Sequence, residues 1–122
     1  MFASAVYVKI YRDRFWARHI QSGTSSEATP TRPVSTKRLL VGDFTTAQQC
    51  LKKLIVSVSK KGLIPIAPRI LIQPMEMIEE GISESEEKLL IELAFMAGAR
   101  DVKVYSGIEL SDDEVIGKFN DK

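Results

Sequence analysis

Apolar and polar residues alternate from Ser4 to Arg12, with Val6, Val8 and Ile10 on one face and Tyr7, Lys9 and Tyr11 on the other. That period of two is the period of a β-strand. "RDR" offers a turn, and the β-branched and aromatic run from Phe15 to Gln21 predicts a second strand, so the two should form an antiparallel hairpin. The pattern then lapses. Residues 22–35, "SGTSSEATPTRPVS", are rich in Ser, Thr, Pro and Gly, and predict a flexible loop within a domain. A third short strand is expected from Lys37 to Val41.

The periodicity next changes to that of helices. Ala47, Leu51, Leu54, Ile55 and Val58 recur at helical spacing after a start near Asp43. Thr45 and Gln48 have the spacing of a capping box, in which two side chains satisfy amides left free at a helix start. Lys60 and Lys61 suit the negative end of the helix dipole, and Gly62 can make a left-handed exit. Two prolines keep "LIPIAPRILIQP" out of a helix. Within it, Arg69 to Gln73 carries Ile70, Leu71 and Ile72 in succession, which predicts a strand covered on both faces.

Ser83 and Glu86 form a second capping box. Leu89, Leu90, Leu93, Ala94 and Ala97 follow as a buried stripe, Gly98 ends the helix, and Asp101 to Tyr105 is the next strand. Ser111 and Glu114 cap a short last helix bearing Val115, Ile116 and Phe119. The expected order is βββαβαβα. Strand–helix–strand crossovers turn right-handed, so if the last two strands extend the sheet in one direction, both long helices fall on one face. The opposite face is left to the short C-terminal helix. The first long helix carries Lys52, Lys53, Lys60 and Lys61, the second Glu84, Glu86, Glu87 and Glu92. Two solvated faces explain this, as does pairing between neighbours of opposite sign.

Composition narrows the class. The 122 residues fit a single domain, 1–122, with enough chain for one core. The 17 basic and 16 acidic residues leave a net charge of +1, which gives no electrostatic argument for nucleic acid or an anionic membrane. Cys50 is the only cysteine, so no internal disulfide forms, as suits a reducing compartment. No apolar run approaches the ~20 residues of an integral membrane segment, and no basic stretch precedes the apolar start "MFASAV". The expected location is cytoplasmic.

At "STKRLLVGDFTTAQQCLKKLIVSV", "PRILIQP" and "ISESEEKLLIELAFMAGARDVKVY" the chain resembles the first subdomain of rod-shape-determining bacterial actins, the MreB family. The likeness runs from Thr36 to Tyr105. "MEMIEEGISESEEKLL" is also similar to a small stress-associated enterobacterial protein of unknown biochemistry. Both imply a ribonuclease-H-like or actin-like α/β fold, a five-stranded mixed sheet in the order 3-2-1-4-5.

The departures bear on function. Actin-like ATPases hold phosphate on a first hairpin whose small residues let the backbone approach the anion. The matching "YVKIYRDRFW" lacks glycine, Asp13 sits at the turn between Arg12 and Arg14, and Tyr7, Lys9 and Tyr11 would fill the space. The segment that carries the family's water-positioning glutamate is replaced by "VYSGIELSDDEV", where Glu109 is out of register. Without phosphate loops a nucleotide cannot be clamped. The expectation is no enzyme, no cofactor and no metal site.

Other chemistry is sparse. His19 is the only histidine and, with Cys50, makes two ligands far apart in sequence, a poor metal site. A two-metal nuclease needs carboxylates on the first strand, which has none. "QPMEMIEEG" places Met75, Met77 and Ile78 after the central strand, where they either meet a partner or fold back onto the second helix. Trp16, Ile20, Phe119 and Phe2 either pack under the last helix or leave an apolar patch. The expected role is therefore a non-catalytic domain that binds a protein partner or itself, as a homodimer, with a candidate interaction surface of Trp16, Ile20, Met75, Met77, Ile78 and Phe119. A stress-response accessory role and a small ligand-binding protein or enzyme stand as alternatives.

Overall fold

A computed structural model describes residues 4–33, 35, 41–59, 67–76 and 81–120. Strands β1 (Ala5–Tyr11), β2 (Arg14–His19) and β3 (Thr24–Ala28) precede helix α1 (Phe44–Val58). Strand β4 (Arg69–Pro74), helix α2 (Glu84–Met96), strand β5 (Asp101–Val104) and helix α3 (Asp112–Asn120) complete the order. The sheet runs β3-β2-β1-β4-β5, the order the family resemblance implies. β1 is antiparallel to β2 and parallel to β4, and β4 is parallel to β5.

Alternation along β1 builds two layers. Val6, Val8 and Ile10 join Phe15, Ala17, Ile70 and Ile72 on the face covered by α1 and α2. Leu51, Leu54, Ile55 and Val58 of α1 and Leu90, Leu93 and Ala94 of α2 complete that core. Ala5, Tyr7 and Leu71 face the other way, under Val115 of α3. Ile70, Leu71 and Ile72 are all buried. This is why their run shows no alternation: β4 is covered on both faces.

The third strand differs from expectation. Thr24–Ala28, inside the expected 22–35 loop, pairs with β2 from Phe15↔Ala28 to His19↔Thr24. Its polar composition hides it, because an edge strand draws its order from its neighbour's backbone and needs only one half-buried side. Of the expected Lys37–Val41 strand, residues 37–40 lie outside the described residues, and Val41 is buried in the helix-side core without being in a strand. Lys60, Lys61, Gly62 and Phe2 also lie outside them.

α1 starts where expected, near Asp43, but its cap is not the expected box. Asp43 is the N-cap, with Oδ1 accepting from Thr46 N–H at 3.1 Å and Oδ2 from the Thr46 hydroxyl at 2.9 Å. The Thr45–Gln48 spacing is coincidental: Gln48 Nε2 instead donates to Met96 O at 3.1 Å, bridging α1 to α2. The box at α2 is present as read, with Ser83 and Glu86 each bonding the other's backbone N–H. Ser111 and Glu114 do the same at α3. Lys52 and Lys53 are exposed, and Lys88 pairs with Glu84 within α2 at 3.9 Å, as solvated faces require.

Candidate functional site

A polar constellation lies on the α3 side of the sheet, along the middle of β1 and the later part of β4. Gln73 is fully buried, and its two amide atoms are both used. The Tyr7 hydroxyl donates to Gln73 Oε1, and Gln73 Nε2 donates to Gly107 O at 2.9 Å. The same hydroxyl accepts from Leu110 N–H at 3.1 Å. Residues 105–111 are thereby strapped to the sheet by a residue of β1 and a residue of β4.

Lys9 extends the constellation outward. Its Nζ lies 3.0 Å from Glu109 Oε2 and 4.0 Å from the centre of the Trp16 ring. The Tyr7 ring, edge-on to Trp16 at 5.7 Å, forms the second wall around the ammonium. Burial pushes the Tyr7 phenol above its ordinary pKa, partly offset by the Leu110 N–H, so it stays a neutral donor. Gly107 allows the strap's path at φ +149°, where a β-carbon would stand 2.7 Å from the Tyr105 hydroxyl.

The hairpin tip is closed as well. Asp13 takes φ +53°, a conformation that Asp tolerates better than most residues. Asp13 Oδ1 accepts from Ser35 N–H at 2.7 Å, the Ser35 hydroxyl accepts from Asp13 N–H, and Glu76 accepts from Arg12 N–H at 2.9 Å. The two N–H groups at the tip are thus already bound to side chains of the chain itself.

The candidate surface residues separate. Trp16, Ile20 and Phe119 join the smaller core on the α3 side of the sheet, Phe119 from α3 itself, with Ile20 buried and the two aromatics half-buried. Arg69 stacks its guanidinium 4.9 Å from the Phe119 ring. Arg18 forks onto Asp112 at the start of α3 at 2.9 and 3.0 Å, which raises the Arg18 pKa through that ion-paired hydrogen bond. Met75 sits apart at the end of β4, with its N–H donating to Ile10 O at 2.9 Å. Met77 and Ile78 lie outside the described residues. Gln73 gives little signal in the sequence, only a lone amide ending an apolar run. Val56, Phe95, Met96 and Ile108 are exposed apolar side chains that the periodicity does not mark.

The remaining reactive groups are quiet. His19 Nδ1 accepts from Ser22 N–H at 3.2 Å, and burial lowers its pKa. Burial raises the Cys50 thiol, with Lys53 opposing, which is the reverse of an activated thiolate. Beside Cys50 a cavity of about 150 Å³ opens between β3 and α1, lined by Thr29, Thr31, Thr46 and Lys53. Among the described residues no three His, Cys, Asp or Glu side chains are grouped to hold a metal, and no helix is long and apolar enough to cross a membrane.

No family model matches the chain. Among solved structures, one titled a structural study of the Aquifex aeolicus PPX-GPPA enzyme is similar at 17% identity over 85% of this chain, with a TM-score of 0.47. This chain spans 36% of that structure's length. The Escherichia coli (strain K12) protein described as uncharacterized protein YjaA is similar at 29% identity over 105 residues, 82% of this chain and 80% of that protein.

Proposed function

We propose that this chain is a non-catalytic actin-like domain that acts by binding a protein partner or a second copy of itself, in the manner of an MreB-like subdomain that has lost its phosphate chemistry. The observation that carries this reading is the occupancy of the first hairpin by the protein's own groups. In an actin-like ATPase small residues leave room there for phosphate. Here Lys9 spends its charge on Glu109 and the Trp16 face, and the Tyr7 hydroxyl is bound by Gln73 and Leu110. The amides of Arg12 and Asp13 at the tip are taken by Glu76 and Ser35. A triphosphate would have to displace all four arrangements at once. A link to cell shape or the envelope belongs to the same proposal and rests on the MreB resemblance.

Calorimetric titration with MgATP and MgADP, alongside a phosphate-release assay, tests the reading. The expected result is neither binding heat nor turnover. Saturable nucleotide binding that is lost in Asp13→Ala would overturn it.

A further inference from the structure

β5 forms one border of the sheet, with β4 on one side and no described strand on the other. Tyr105 N–H donates to Ile72 O at 3.1 Å. Strand alternation then turns the peptide groups of Lys103 toward β4 and those of Val102 and Val104 outward. An outward row of this kind is a template for another strand. The edge is guarded from within: Asp101 Oδ1 accepts from the outward Val102 N–H at 3.0 Å.

The order of charges selects what fits. Asp101 and Lys103 stand in register with Arg69 and Leu71 and share the α3 face, while Val102 shares the helix-side face with Ile70. Place a second β5 antiparallel to the first, with the two-fold axis at Val102. Each Asp101 then lies opposite Lys103 of the other copy, and Val102 faces Val102. An axis at Asp101 or Lys103 would set like charges against each other. In the favoured register the valines exchange the backbone hydrogen bonds, and each flanking Asp–Lys pair occupies the closer, non-bonded position, with Cα atoms about 4.5 Å apart. β3, at the other border, carries Glu27 as its one charge and has no such self-match.

We propose that β5 is a self-association edge. A second copy adds its β5 antiparallel about Val102, and Asp101 moves its carboxylate from its own Val102 N–H to Lys103 of the second copy. The outward peptide groups of Val102 are then paired, and the two sheets become continuous. This deepens the reading that the domain works by binding, and rests on it.

Sedimentation velocity from micromolar to millimolar protein tests the edge on the full chain, Asp101→Lys, Lys103→Asp and an equal mixture of the two variants. The wild type is expected to dimerise. Each variant alone weakens dimerisation by about tenfold or more, because both cross-strand pairs become like-charged. The mixture restores it, since each copy then meets one of opposite sign. Circular dichroism checks that both variants fold. A wild type that stays monomeric throughout, a dimer insensitive to both substitutions, or a mixture that fails to re-form it would overturn the assignment. Such a failure with no nucleotide bound sinks only the β5 edge, whereas saturable MgATP binding sinks the functional reading beneath it.

Discussion

Gln73 shows how one side chain can join three parts of the chain. Fully buried, it accepts from Tyr7 of β1 and donates to Gly107 of the strap. Gln73→Leu keeps most of the volume but leaves the Gly107 carbonyl without its partner and the tyrosine without its acceptor, at a cost of about 1–3 kcal/mol. Chemical denaturation measures it, and a loss under a few tenths would show that water replaces the amide. His19 gives a pH effect. Burial holds its folded pKa below the unfolded value of 6.5, so the unfolded chain takes up the proton first. Its stability contribution is complete above that value and is lost as pH falls through the folded pKa. Unfolding at pH values on either side of that window should show the wild type losing more stability on acidification than His19→Gln. Parallel slopes would contradict this. The lowered Asp43 carboxyl, held by Thr46, responds only at more acid pH. Of these residues, the role of Gln73 cannot be read from spacing, because Tyr7 and Gly107 are distant in sequence, and the proton affinity of His19 is set by burial that only the folded chain creates.

Helices and strands differ in how openly the chain declares them. Both long helices show their buried stripes at a period of 3.6, and the Ser83–Glu86 box marks the start of α2. Ser83→Ala should cost about 1 kcal/mol through the unsatisfied Glu86 N–H, whereas Glu86→Gln, which keeps an acceptor, should cost far less. A thermal melt of both variants checks the order, and equal losses would count against reciprocal capping. α1 was legible as a helix but not in its cap, since Asp43 and Thr45 are both good N-cap types and only the backbone path chooses between them. β3 looks like loop in the sequence for a different reason. Five residues, "TSSEA", carry almost no hydrophobic signal, and pairing with β2 supplies the order.

At the scale of the molecule, one short helix decides what the second face of the sheet becomes. Val115 is the buried anchor of α3 over Ala5, Tyr7 and Leu71, and Arg18–Asp112 pins the helix start. Val115→Ala should cost about 2 kcal/mol and speed amide hydrogen exchange in α3 more than in β1 or β4. Uniform acceleration would mean that α3 does not open as a separate unit.

The linear chain determined the elements whose own side chains alternate or repeat: the first hairpin, the central β4, both long helices and the strand after Gly98. It determined the sheet order only in combination with the handedness of crossovers and the family likeness. The tertiary structure alone decided where β3 lies, that Trp16, Ile20 and Phe119 share the core on the α3 side, and that Lys9, Glu109, Tyr7 and Gln73 close one site. Periodicity is a local property, set by which side of a strand or helix is buried. Partners up to 103 positions apart, such as Tyr7 and Leu110, are joined only when the sheet brings them together.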